Sequence, residues 1–262
     1  MTTVRVEAIG IAAPGLHGWS EGAAVLDGRV AYGSEPLVLP APELLPPNER
    51  RRTTQVIRLA LQAGREALAG SPRAADSLCT VFASSLGDAE IVDRICRALN
   101  EPGRPVSPTL FHNSVHNAPA GYWSIATGAT GASTSVAAFD RTFQAALLEA
   151  YSFVAVEANP VLLIGYDHPA PEPLRTHTPV AIPFATALLL GPSSDATTGT
   201  EIALAFCGDE PDTMPDPALE SLRLGNPIAR ALPLIAAIAA RRMGRVVLPY
   251  SSSVSLAVQC RS

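Results

Sequence analysis

Hydrophobic positions along the chain follow two alternating periods. VRVEAIGIAA (4–13) alternates and then runs apolar, which predicts a first strand. Residues 33–47 are rich in proline and read as irregular. NERRRTTQVIRLALQAGREALAG (48–70) predicts one long helix, with Val56, Leu59, Ala60, Ala63 and Ala67 on a single face and Gly70 as its stop. SLCTVFASS (77–85) reads as a buried strand. DAEIVDRICRALN (88–100) reads as a helix capped by Asp88, with Ile91, Ile95 and Leu99 together. A long loop is predicted over 101–121, then a short helical stretch, YWSIATG.

TSVAAFDRTFQAALLEA (134–150) reads as a strand, a bend at Phe139-Asp140 and a helix from about Thr142 to Val156, apolar around most of its circumference. Strands follow at 161–167, 184–191 and 200–206. A proline-rich loop (168–180) separates the first two, and an acidic, proline-rich stretch (208–217) follows the third. A helix over 227–242 and a final strand over 251–260 close the pattern. Alternating helices and apolar strands predict an α/β sheet with helices on both faces. No short-period repeat is present.

Composition narrows the function. At 262 residues, 47% apolar and 16% charged, the chain can bury a large core. Its net charge of −5 does not suit nucleic-acid binding. All 19 basic residues are arginine, the pattern expected of GC-rich codons. Cys79, Cys96, Cys207 and Cys260 are widely separated and lack metal-ligand spacing, so no metal or cofactor is expected. Cys79 and Cys207 lie in apolar strand-like runs, where a reduced, buried thiol is the default. The first ten residues do not read as a signal peptide, and no apolar run reaches a membrane span. The cytoplasm is the expected location.

A strand–helix elbow is a common mount for a nucleophile. Here the bend carries Ala, Phe, Asp and Arg, and neither Cys nor Ser. Asp140 could pair with Arg141 or simply cap the following helix. His112 and His116 are spaced for a metal on a helix, but no third ligand matches them. Ser135, His116 and Asp140 could form a hydrolytic triad, although GxSxG is missing. ERRR (49–52) reads as a solvated helix start or as a docking patch for an acidic partner.

The order of elements, and above all SPTLFHNSVHNAPAGYWSIATGATGASTSVAAFD (107–140), resembles the ketoacyl synthases of the thiolase superfamily. Ser107, Pro108, Asn117, Gly121 and Gly131 stand at corresponding positions. The resemblance implies a thiolase-like layered α/β fold with a truncated C-terminal half. It implies a single domain over 1–262, of which 1–206 is like the N-terminal half and 207–262 is a remnant of the other. The family's active-site cysteine falls at or next to Asp140. One of its histidines corresponds to Asn226 in GNPIARALPLIAAIA, and the other has no counterpart after ALAFCGDEPD.

Condensation needs a thiolate and two histidines. The resemblance is therefore to chain-length factors, above all the short ketosynthase-like subunits of aryl polyene (xanthomonadin-type) clusters. It implies an active ketosynthase as heterodimer partner, an acyl carrier protein docked at Arg50, Arg51 and Arg52, and a homodimer as a possible state of the isolated chain. GASTSVA (131–137), with Ser133 and Ser135, would be the strand paired with the partner. Phe111, His112, Val115 and His116 would face the partner's acyl tunnel. The alternative is a residual acyltransferase or hydrolase acting on carrier-bound thioesters through Ser135 or a histidine.

Overall fold

The computed structural model describes residues 2–194 and 198–261. In chain order its elements are β1 (Val4–Ala13), β2 (Leu16–His17), α1 (Trp19–Leu26), α2 (Pro47–Arg50), α3 (Gln55–Ala69), β3 (Cys79–Ala83), α4 (Ala89–Leu99), α5 (Pro108–Asn113) and α6 (Ala118–Thr127). They continue with β4 (Ser133–Val136), α7 (Thr142–Glu157), β5 (Val161–Asp167), β6 (Phe184–Pro192), β7 (Thr200–Cys207), α8 (Pro217–Leu224), α9 (Leu232–Ala239), β8 (Gly244–Pro249) and β9 (Ser255–Arg261).

One mixed sheet runs β4-β3-β5-β6-β1-β7-β9-β8, with β2 paired to the end of β1. Strands β4, β3 and β5 are parallel, so their carboxyl ends lie side by side. β6 and β1 are antiparallel to their neighbours. β1 holds β6 along most of its length, and its residues Val4–Val6 also pair with β7.

Helices cover both faces. On one, Leu59, Ala60 and Ala63 of α3 and Trp123 of α6 are buried against Phe82, Leu162 and Leu189. Small residues bring α3 close: a Cβ on Gly10 would sit 2.1 Å from the Ala63 carbonyl oxygen. On the other face, Phe143, Leu147 and Val154 of α7 and Leu234 and Ile235 of α9 meet Val81, Leu163 and Leu188. α7 is thus wedged between the sheet and the C-terminal elements, as its apolar circumference predicts. Its burial stops short of the expectation, because Glu149, Ser152 and Val156 form an exposed stripe.

Several boundaries depart from the pattern. The helix expected over 48–70 is broken: Thr54 leaves the helical path, and its hydroxyl accepts from the Ile57 N–H at 3.3 Å to start α3. The loop expected over 101–121 contains α5, opened by Ser107-Pro108, and the first residues of α6. The helix expected over 227–242 is a 3₁₀ turn over 228–231 followed by α9, whose start Pro233 marks. α1, α8 and β8 answer to no predicted element. Cys79 and Cys207 lie in strands as expected but are half-buried, and Cys260 is the buried thiol. Asp88 caps α4 as predicted, accepting from the Ile91 N–H at 3.1 Å.

Candidate functional site

The parallel strands deliver three segments to one edge of the sheet. β4 runs into the bend at Phe139-Asp140, β3 into Ser84-Ser85, and β5 ends at Asp167. Crevices outside the carboxyl ends of parallel strands are where α/β sheets bind ligands. The bend is a single 3₁₀ turn over Phe139–Arg141, and Phe139 holds φ +49°. A left-handed backbone is rare for an aromatic residue and costs about 1–3 kcal/mol. Phe139 is nevertheless 63% exposed.

Asp140 is fully engaged. Its Oδ2 accepts from Arg141 Nη1 at 2.7 Å and its Oδ1 from Arg230 Nη2 at 2.9 Å. Arg230 comes from the 3₁₀ turn at 228–231, which packs on α7, and its side chain is largely buried. Asp140 does not cap α7. The first turn is closed by Thr142, whose hydroxyl accepts from the Ala138 N–H and donates to the Phe139 carbonyl.

Asn226 is fully buried and equally occupied. Its Nδ2 donates to the carbonyls of Asp167 (3.2 Å) and Ile182 (2.8 Å), and its Oδ1 accepts from the Ile228 N–H at 2.8 Å. The amide thereby fixes the turn that carries Arg230. Asp140 and Asn226, the two positions singled out in the sequence by resemblance, are linked through the turn that carries Arg230, and both side chains are bonded to the protein itself.

Beside them lies a buried carboxylate. Asp167 accepts from the hydroxyls of Ser84 (2.7 Å) and Ser85 (2.6 Å) and from the Ser85 N–H. Burial without a cation pushes its pKa up to about 6, against the pull of these hydrogen bonds. His116 Nε2 sits 2.9 Å from the Ser84 carbonyl oxygen. The imidazole is thus bonded to backbone and the Asp140 carboxylate to two guanidinium groups. Neither has the hydrogen-bond partners of a Ser135–His116–Asp140 triad. Burial also pushes the Cys260 thiol up to about 11, the environment of an inert cysteine.

The remaining predicted residues lie at the surface. Phe111 and His112 sit on α5, and Phe111 is 70% exposed. His116 follows the end of α5, so the two histidines do not share a helix. Among the described residues no group of three or more His, Cys, Asp or Glu is placed to hold a metal. No helix among them is long and apolar enough to cross a membrane.

β4, carrying Ser133 and Ser135, is an edge strand. The Thr80 N–H bonds the Ala132 carbonyl and the Ser84 N–H bonds the Val136 carbonyl. Residues 132, 134 and 136 therefore face β3, and the backbones of Ser133 and Ser135 face outward. Arg50 donates to the Glu43 and Leu45 carbonyls and is tied to its own loop, whereas Arg51 and Arg52 are exposed. Arg230 and Asp167 carry no sequence signal of their own, whereas Phe139 lies in the bend that the sequence pattern marks.

The sequence matches a family model described as β-ketoacyl synthase, N-terminal domain, over residues 19–216. No curated protein matches it. Among solved structures the fold is similar to a chain of the ketosynthase (ApeO) in complex with its chain length factor (ApeC) from Xenorhabdus doucetiae. That match has a TM-score of 0.74 and 22% identity, over 99% of this chain and 100% of the other. The ishigamide ketosynthase/chain length factor aligns at a TM-score of 0.77 and 15% identity over 99% of both chains. A chain of AntDE:AntF, a type II polyketide acyl-carrier protein in complex with its ketosynthase, aligns at 0.78 and 12%, over 100% of this chain and 99% of that one. These likenesses establish the thiolase-like ketosynthase fold.

Proposed function

This chain belongs to the β-ketoacyl synthase N-terminal domain family, and from that premise we propose that it is a non-catalytic, chain-length-factor-type subunit. In this reading it pairs with an active ketosynthase and shapes the acyl tunnel of its partner, in aryl polyene or related polyketide biosynthesis. The observation that carries the reading is the Arg141–Asp140–Arg230 arrangement at the elbow, the stretch that the sequence resemblance aligns with the thiolate of a condensing enzyme. A carboxylate held by two guanidinium groups is a poor acyl acceptor. An edge strand with outward-facing backbone groups supports pairing, and solved complexes of similar fold contain a chain length factor or an acyl-carrier protein. The single domain over 1–262, the cytoplasmic location, carrier docking at Arg50, Arg51 and Arg52 and a homodimer in isolation belong to the same proposal.

The test is co-expression with a candidate partner ketosynthase from the same genome, followed by size-exclusion chromatography and intact-mass measurement with an acyl-carrier substrate. We expect co-elution in equal amounts, with the acyl adduct confined to the partner. A stoichiometric adduct on this chain, or separate elution, overturns the proposal.

Phe111 gives a finer test. Full burial of such a ring is worth about 1.5–3 kcal/mol, and in this reading the partner supplies it. Phe111→Ala should leave the complex assembled and shift the length distribution of its products. Unchanged products from an assembled variant would remove Phe111 from the tunnel wall.

A further inference from the structure

A second site lies away from the elbow. The start of α3, one side of α4 and the start of α5 enclose an open cavity of about 430 Å³. Four guanidinium groups line it, from Arg51, Arg52, Arg58 and Arg94, and Glu90 is the only carboxylate among its lining residues. Counting four positive charges and one negative gives a lining of +3. Arg52 is paired with Glu49 at 3.2 Å. Arg51 and Arg94 have no ion pair among the described residues. Like charges gathered without counter-charges repel one another, and an anion removes that penalty.

The wall is organised in advance. Asn113 is buried, donates from Nδ2 to the Arg52 carbonyl at 2.9 Å and accepts from the Tyr122 hydroxyl at 3.2 Å, which fixes the backbone of the arginine loop. Thr53 donates to the Arg50 carbonyl and accepts from Arg58 Nε at 3.0 Å, which fixes the Arg58 guanidinium. Neutral hydroxyls of Ser107 and Thr109 also line the cavity. The N-terminus of α3, a helix of 15 residues, opens into it with its leading N–H groups outside the helical ladder.

We propose that this cavity binds a phosphate group borne on an organic ligand. Guanidinium forks and helix-terminal N–H groups match phosphate oxygens, and a phosphate carries about −1.5 to −2 charges against one for a carboxylate. The volume exceeds that of inorganic phosphate and falls in the range of small-molecule sites, about 300–1,000 Å³. The phosphate could come from a free metabolite or from the phosphodiester of a carrier's prosthetic arm. The site shares Arg51 and Arg52 with the carrier-docking surface proposed above. It does not rest on pairing with a ketosynthase, and its test uses this chain alone with small molecules.

Isothermal titration at low ionic strength distinguishes the sources. The probes are inorganic phosphate, phosphopantetheine and pantetheine, with the wild-type chain, Arg94→Ala and Arg58→Gln. We expect both phosphate compounds to bind one shared site and pantetheine not to bind. Either substitution should weaken binding at least tenfold, and raised salt should weaken it further. Tighter binding of phosphopantetheine than of phosphate assigns the carrier arm as the source, and equal binding assigns a free metabolite. Arg94 is exposed and makes no ion pair, so its removal leaves the fold intact. Pantetheine binding as tightly as phosphopantetheine, no heat from either phosphate, or affinities unchanged in both variants would overturn the site.

Discussion

Replacing Ser135 with proline is expected to abolish co-elution with the ketosynthase while leaving the isolated chain folded. The reason lies in the alternation along β4. The backbone of Ser135 faces away from β3, so a proline there removes an N–H that the chain's own ladder does not use. A strand arriving from a partner would need that N–H and would meet the pyrrolidine ring instead. Proline inside a sheet is excluded for both reasons. We expect affinity to fall at least 100-fold. Thr134→Pro is the contrasting variant. Its backbone faces β3, so proline there removes a ladder hydrogen bond and should destabilise the chain itself by about 1–3 kcal/mol. Circular dichroism reports folding and size exclusion reports pairing. Retained pairing by a folded Ser135→Pro chain would place the interface elsewhere.

The second expectation concerns Asp167. Its folded pKa of about 6 lies above the ordinary aspartate value of 3.8, so the folded state holds the proton more tightly than the unfolded state. The stability this confers is complete below about pH 4 and is lost as pH rises through about 6. At about 1.4 kcal/mol per pH unit the gap amounts to about 3 kcal/mol. The cause is burial among hydroxyls and N–H groups of Ser84, Ser85 and Leu86, with no cation among them. Denaturant unfolding of wild type and Asp167→Asn at pH 4, 5, 6 and 7 isolates the effect, because other titrations cancel in the difference. The variant should gain on wild type by about 2 kcal/mol between pH 4 and pH 7, the rest of the gap lying below pH 4. A difference independent of pH would show that the hydrogen bonds fully offset burial.

Much of the architecture is legible in the chain because α3, α4, α7 and the central strands carry long periodic patterns that tertiary packing reinforces. The elbow is legible for the same reason. β8 escapes because its apolar run, Val246–Leu248, is short and follows a pair of arginines. α5 escapes because two turns between prolines leave little room for periodicity. The site is harder to read. Asp140 and Arg230 are 90 positions apart, and only the topology makes them a pair. The run at 49–52 is visible as charge, but its convergence with Arg58 and Arg94 depends on how α3, α4 and α5 pack.

The position of β1 bears on how the protein comes into being. β1, which is synthesised before the other strands of this sheet, becomes its middle, and its two neighbours there, β6 and β7, begin at residues 184 and 200. Synthesis at about 5–20 residues per second separates β1 from these partners by roughly 10–40 s. During that interval an apolar strand has both edges open except where β2 pairs with its last two residues. Contacts of such long sequence range slow folding, so β3, β4 and β5, whose pairings span shorter stretches, can assemble first. On the ribosome β1 is therefore the segment most in need of shelter, and chaperone capture of nascent chains should map to residues 4–13.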